Sequence, residues 1–218
     1  MSYSDPMLEL GVKSLIAYLV GALLGSLILG RLRGVDIRRL GSGNAGATNA
    51  LRTQGKLFGL LVLVIDAGKG VFAVLWLPGA PWPPKDPQLS REWLELACAF
   101  AVIVGHVYPV WFSFRGGKGV ATMIGAIGAL EPRLLLPVLV AWLAVLMLTG
   151  YVGLASMLAG AALAVFVAFA EPGNVPLLVF CCVIELFVIF THRGNIARMM
   201  AGTEHRVRRV WLFRSRAA

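Results

Sequence analysis

The chain has 218 residues, 58% of them hydrophobic and only 14% charged, with a mean hydropathy of +0.79. Soluble domains are about 45–50% apolar and about 25% charged, so this composition excludes an ordinary soluble domain and points to a membrane protein. The net charge of +9 raises nucleic acid as a partner, but bases interleaved with long apolar runs follow the positive-inside rule, so no nucleic acid is expected.

In chain order, the N-terminal MSYSDPMLEL lacks the basic region of a secretory signal, and no small-residue cleavage site follows the first apolar run, 8–30. That run is expected to be retained as a membrane helix. RRLGSGNAGATNALR (38–52) comes next, and Gly41 to Gly46 inside it fits G-x-G-x-x-G. Gly41 to Thr48 is one residue short of a P-loop, with Ala47 in the place of the lysine. A dinucleotide site needs a strand before the glycines and a helix opening at the third, whereas here membrane runs flank the motif on both sides. The nucleotide reading therefore fails, but its local physics survives. Glycines let a backbone approach an anion, Ser42, Asn44, Thr48 and Asn49 add neutral donors, and Arg52 adds a planar fork suited to phosphate. A flexible polar surface loop is the plain alternative.

The second run, 57–77, contains Asp66 and Lys69. Ionisable groups at that depth are usually paired toward the bundle interior, and a spacing of three puts both on one helical face, so a structural polar pair is expected. PGAPWPPKDP (78–87) predicts a rigid external loop. The third run, 96–112, carries His106, and FRGGKGVAT (114–122) then surrounds Lys118 with Gly116, Gly117 and Gly119 before Thr122 opens a helix. A lysine among glycines at a helix N-terminus is suited to an anion, because the unpaired amides and the dipole point the same way.

The remaining runs are 119–130, 134–149, 152–170 and 175–191. Between the fifth and sixth, GYVGLAS (150–156) offers Ser156; Glu185 lies within the seventh with no partner evident. THRGNIARMMAGTEHR (191–206) brings His192, Arg193, Asn195, Arg198 and Glu204, and Arg206 to Arg216 suit a basic tail on anionic lipid.

A membrane helix needs about 17–25 apolar residues. The fourth run is shorter than that, so seven spans are expected and five or six are the alternative count. Charge orients them. Arg31, Arg33, Arg38, Arg39, Arg52 and Lys56 follow the first run, Arg115 and Lys118 the third, and Arg193, Arg198, Arg206, Arg208, Arg209, Arg214 and Arg216 the last. Alternate loops carry Asp86, Glu92, Glu95, Glu131 and Glu171 against only Lys85, Arg91 and Arg133. The expected fold is thus an all-α polytopic helix bundle of about seven transmembrane helices, one domain over 1–218, with the N-terminus outside and the C-terminus cytoplasmic.

Cys98, Cys181 and Cys182 all lie in apolar runs and are expected to be membrane-buried packing residues. There is no H-x-x-x-x-D acyltransferase pair: Trp111, Ala197 and Val210 stand five places after His106, His192 and His205. No Cys–His nucleophile pair and no carboxylate cluster for Mg²⁺ is present, so neither a metal nor another cofactor is expected.

SGNAGATNALR (42–52), DAGKG (66–70), GH-x-x-P with F-x-GGKGVAT (105–122), and HR-x-NI-x-R with G-x-E (192–204) closely resemble the acyl-phosphate:glycerol-3-phosphate acyltransferase family of bacterial membranes. The resemblance implies a seven-helix bundle in the bacterial cytoplasmic (inner) membrane with its active site on the cytoplasmic side. It implies transfer of an acyl chain from acyl phosphate to the 1-hydroxyl of glycerol 3-phosphate, giving lysophosphatidic acid and inorganic phosphate. Neither CoA nor acyl carrier protein is the direct donor. By motif position it assigns glycerol 3-phosphate to Arg52, Lys118, Ser156, His192 and Asn195, and acyl phosphate to Ser42, Gly43 and the amides near Lys118. Asn44, Thr48, Gly117, Gly119 and Glu204 complete the expected binding set, and Lys118, His192 and Ser42 are the catalytic candidates. A transporter of phosphorylated metabolites is the rival class, since glycine-broken helices and basic loops also suit anion passage.

Overall fold

A chain in hydrocarbon must satisfy its backbone groups within each segment. Accordingly, the regular structure in the computed structural model, which describes residues 6–81, 89–207 and 211–212, is helical throughout. The helices are α1 (Pro6–Gly21), α2 (Gly25–Leu32), α3 (Ala47–Gln54), α4 (Lys56–Leu75), α5 (Arg91–Val107), α6 (Val120–Leu130), α7 (Leu135–Thr149), α8 (Val152–Ala170), α9 (Val175–Thr191) and α10 (Arg193–Met200). Most of the loop at 78–87, with Lys85 and Asp86, and the bases Arg208, Arg209, Arg214 and Arg216 lie outside the described residues. Four helical stretches are long and apolar enough to cross a membrane, and six if each of two bent pairs counts as one span. The eleven residues of α6 are also apolar but rise only about 16 Å, against about 30 Å of hydrocarbon.

The first expected span is one of the bent pairs: α1 and α2 meet at 42° across a break at residues 22–24. A break in apolar surroundings exposes the last carbonyls of one helix and the first amides of the next. The pair on α4 meets both needs. Lys69 Nζ donates to the carbonyls of Gly21 (2.7 Å) and Leu23 (3.1 Å), while Asp66 Oδ1 accepts from the Gly25 amide at 3.1 Å. Lys69 and Asp66 are themselves 3.2 Å apart and buried. A second pair, Glu9 and Lys13, is buried at the start of α1, with the ammonium also donating to the Pro78 carbonyl at 2.8 Å.

The chain forms two compact units, Met1–Pro132 and Arg133–Ala218. In the first, two seams are made by reciprocal glycines. A Cβ at Gly21 of α1 would strike the Val102 carbonyl of α5, and one at Gly105 of α5 would strike the Tyr18 carbonyl of α1. Gly70 of α4 meets the Thr122 carbonyl of α6 in the same way, and Gly125 of α6 meets that of Ala67 on α4. Close backbone approach replaces the hydrophobic drive that helices lack in lipid.

In the second unit, α7 turns into α8 through Gly150, whose φ of +75° is left-handed, and Arg133 pairs with Glu171 at 2.9 Å across the opposite ends. Glu185 of α9 has its carboxyl packed on Gly160 of α8, where any Cβ would collide with Oε2. One expectation is corrected here. Cys182 is exposed while Cys98 and Cys181 are buried, because adjacent helical positions face different sides. The Arg206 guanidinium lies against the rings of Tyr151 (4.5 Å) and Trp211 (4.3 Å). The tail there closes the α7 terminus, as Val207 and Leu212 amides donate to Gly150 and Met147, and the Trp211 indole donates to Leu148.

Removing one partner of a buried ion pair leaves an uncompensated charge, at about 3–5 kcal/mol. Lys69→Met also deprives two helix-end carbonyls, so it should lower the unfolding temperature in detergent more than Asp66→Asn, whose amide oxygen still accepts from Gly25. Equal melting of Lys69→Met and wild type would show that the break does not depend on this pair.

Candidate active site

The first glycine-rich loop is organised by Asn49, which is buried. Its Oδ1 accepts the Ser42 amide at 3.0 Å, and its Nδ2 lies 2.9–3.2 Å from the carbonyls of Ile37, Leu40 and Asn44. Asn49 is thus the internal frame of the loop rather than a phosphate donor, which corrects the reading of its side chain. The Gly43 amide is likewise committed to the Leu40 carbonyl at 3.0 Å. Left-handed φ values of +56° at Gly41 and +74° at Gly43 make these inward bonds possible. What faces outward is the Ser42 hydroxyl, with Asn44 half-buried and Thr48 and Arg52 exposed four residues apart on one face of α3. The amides of Ala47, Thr48 and Asn49, in the first turn of α3, have no acceptor within their own helix.

The second loop lies against the end of α5. The Gly116 and Gly117 amides donate to the carbonyls of Val107 (3.1 Å) and His106 (3.2 Å). A Cβ at Gly116 would strike the His106 carbonyl, and one at Gly117 would strike His106 Nε2. These two amides are therefore committed to α5, and the expectation that they face phosphate is corrected. Lys118 follows, half-buried, and Gly119 at φ +82° turns the chain into α6. The unpaired amides next to Lys118 are those of Val120, Ala121 and Thr122, at the positive end of the helix dipole. The approach to this loop is strained: Ser113 and Phe114 both sit at φ +58°, a conformation that costs a non-glycine residue about 1–2 kcal/mol.

Arg38 holds that strained turn and joins the two loops. Its Nη1 donates to the carbonyls of Phe112 (3.1 Å) and Arg115 (3.3 Å), while Asp36 grips the other edge, with Nε and Nη2 at 3.0 and 2.9 Å. Below it, Ala45 of the first loop and Phe112 of the second pack with Leu24 and Leu27, and the Ser26 hydroxyl donates to the Ala45 carbonyl at 2.5 Å. Arg31 stacks on Phe112 at 5.0 Å and Arg33 on Phe58 at 4.8 Å. In sequence Arg38 is one base among six. The Asp36-x-Arg38 spacing could signal the local grip, but nothing in it signals Phe112, 74 positions away.

In the unit Arg133–Ala218, Asn195 of α10 packs against Gly153 of α8, one turn before Ser156. Asn195 Nδ2 donates to Glu204 Oε1 at 2.7 Å, and Arg198 Nε donates to the other carboxylate oxygen at 2.6 Å. Glu204 thereby holds the amide that α10 presents. Ser156 is buried; its hydroxyl donates to the Val152 carbonyl at 3.0 Å and accepts from the Trp142 indole at 3.3 Å. His192 is buried at the α9–α10 junction with Nδ1 2.8 Å from the Val188 carbonyl. A carbonyl can only accept, so Nδ1 carries a proton, and in the neutral ring Nε2 is the basic nitrogen. Among the described residues, no group of three or more His, Cys, Asp or Glu is placed to hold a metal ion.

Residues 12–202 match the family model of glycerol-3-phosphate acyltransferase. The chain belongs to the glycerol-3-phosphate acyltransferase family. Among curated acyltransferases of that name, it is 41% identical to one from Thermosynechococcus vestitus over 202 residues, covering 91% of this chain and 95% of the relative. It is 40% identical to one from Aquifex aeolicus over 194 residues, covering 88% and 96%. Two crystal structures of PlsY (YgiH), an integral membrane glycerol 3-phosphate acyltransferase, superpose with a TM-score of 0.77 at 35% identity, covering 90% of this chain and 94% of theirs. One is the glycerol 3-phosphate form and the other the lysophosphatidic acid form. The family match takes in both glycine-rich loops and the His192–Gly202 segment.

The Asp36–Arg38 grip sets an expected pH dependence for this acyltransferase. Hydrogen bonds from Arg38 hold the Asp36 carboxyl below the usual carboxylate range, against a smaller opposing effect of burial. A depressed folded pKa contributes stability that is complete above the unfolded value, about 3.9, and lost as pH falls through the folded value. The melting difference between wild type and Asp36→Asn should therefore stay flat from about pH 8 to 5 and shrink only below about pH 4. A difference that changed near neutrality would assign the grip to another titrating group.

Proposed function

We propose that this chain transfers an acyl group from acyl phosphate to the 1-hydroxyl of glycerol 3-phosphate, forming lysophosphatidic acid and inorganic phosphate. The observation that carries this reading is the Arg38 tie, which brings side by side two loops whose chemistry suits phosphate. Family membership supports it independently, since the relatives are named for glycerol 3-phosphate. An acyl chain on the donor accounts for an enzyme embedded in apolar helices.

In this reading the Ser42 hydroxyl and the first-turn amides of α6 hold the acyl phosphate, Gly43 shapes the turn that presents Ser42, and Asn44 and Thr48 add neutral donors. Arg52, Lys118, Ser156, His192 and Asn195 take glycerol 3-phosphate, with Glu204 holding Asn195 in position and Gly117 and Gly119 shaping the approach to Lys118. The 1-hydroxyl oxygen attacks the acyl carbonyl carbon. Lys118 and the adjacent amides stabilise the developing oxyanion. The carbonyl–oxygen bond to phosphate then breaks, and a phosphate oxygen takes the hydroxyl proton. His192 orients the acceptor through Nε2, and no covalent acyl-enzyme forms. Neither CoA nor acyl carrier protein is the direct donor.

The 1–218 chain acts as one embedded domain of the bacterial cytoplasmic membrane, with α6 as the short member of seven spans. The N-terminus is outside and the C-terminus cytoplasmic. This arrangement puts the basic segments after the first, third and last spans, and with them the active site, on the cytoplasmic side.

Purified protein in micelles, given acyl phosphate and glycerol 3-phosphate, should release inorganic phosphate. Lys118→Ala should lose about 100-fold or more in turnover. Ordinary activity in that variant would overturn the oxyanion role, and labelled acyl retained on the protein after one turnover would overturn direct transfer. A folded wild type that releases no phosphate would favour transport of phosphorylated metabolites instead.

A further inference from the structure

Resting on the acyl-transfer reading, we infer that His106 is a positioning residue for the Lys118 loop, and that Thr122 holds its ring in place beside Asp66. His106 is only 2% exposed. A buried imidazole used simply as filler is a poor choice beside leucine, because its polar atoms lose water and need partners. Here those partners lie between the helical frame and the loop. Thr122 Oγ1 is 3.2 Å from Nδ1, a bond that forms in either ring tautomer because a hydroxyl both donates and accepts. Asp66 Oδ1 lies 3.6 Å from the same nitrogen. The opposite nitrogen, Nε2, fills the space where a Cβ of Gly117 would stand.

The same residue acts through its backbone, since the His106 carbonyl accepts the Gly117 amide at 3.2 Å. Ring and carbonyl together define where Gly117 sits, and Lys118 is the next residue. Arg38 holds the other flank of the loop through Phe112 and Arg115. The loop is thus held from outside by a guanidinium and from inside by an imidazole. The inner contact leads back to the Asp66–Lys69 pair that joins α1 and α2. A displacement of this seat shifts the Lys118 ammonium relative to the first turn of α6, and with it affinity for a phosphate-bearing substrate. His106 touches no substrate in this scheme.

Thr122→Val removes the hydroxyl and keeps the shape. Valine keeps the Thr122 backbone amide, so the variant should raise KM for glycerol 3-phosphate about fivefold and lower kcat by less than that, the pattern of lost binding rather than lost chemistry. Thr122→Ser, which restores the hydroxyl, should return KM to near the wild-type value. A purely structural role would lower the melting temperature in detergent without this split. Wild-type KM in Thr122→Val, or Thr122→Ser as impaired as Thr122→Val, overturns the inference.

A second test uses shape. Gly117→Ala forces a methyl onto Nε2 and should cut kcat/KM by about 100-fold, whereas the pair His106→Asn with Gly117→Ala makes room and should recover about tenfold over Gly117→Ala alone. A double variant no better than the single overturns the seat. Equilibrium dialysis of glycerol 3-phosphate needs no turnover and separates the two levels. A wild type that binds but does not release phosphate sinks only the transfer reading. Thr122→Val that binds as tightly as wild type sinks only the seat, and a wild type that binds nothing sinks both.

Discussion

Everything in the first unit hangs on the fact that a helix cannot break inside an apolar layer unless something takes over its backbone bonds. Lys69 and Asp66 do this for the gap between α1 and α2, each serving the end of a helix whose dipole suits its charge. The ammonium meets the carbonyl end and the carboxylate meets an amide at the start of the next helix. Two charges that are unfavourable singly in hydrocarbon thereby become the joint of the unit. The redirected α2 leads to the first glycine-rich loop, and the same carboxylate faces His106 at the base of the second.

From that joint outward, the polar groups divide by task. Asn49, Arg38, Asp36 and Ser26 are occupied with holding backbone and Thr122 with the His106 ring, while Ser42, Thr48 and Arg52 face outward. The same division recurs in the second unit, where Glu204 accepts from both Arg198 and Asn195, and Val188 sets the tautomer of His192. In both loops glycine amides turn inward, Gly43 in the first and Gly116 and Gly117 in the second. Their role is to let the backbone pack tightly enough that helix starts and side chains, rather than the glycines themselves, present charge to a ligand.

Several features were legible in the residues alone. Apolar runs gave the helical class and most helix positions, because backbone in lipid has few alternatives to a helix. The two Gly-rich basic stretches and the HR-x-NI-x-R stretch marked the loops where the candidate site lies. The Asp66–Lys69 spacing implied a shared helical face. Other features were not legible. Nothing local marks the break at residues 22–24, since its partners lie on another helix. Asn49 has the composition of a phosphate donor, and only its surroundings make it a frame. Nothing near Arg206 in sequence marks Tyr151 as a partner of its guanidinium.

By itself, then, the sequence determined what kind of medium the chain occupies and which residue types could meet phosphate, because hydropathy, periodicity and glycine content act over a few neighbouring residues. The tertiary structure alone decided which of those residues are available. Whether a donor faces a ligand or a carbonyl depends on contacts such as Arg38 to Phe112, Lys69 to Gly21 and Gly117 to His106. Hydrogen bonds and close packing are satisfied in space, with partners from distant parts of the chain, and a linear pattern carries the capacity of each group but not its partner.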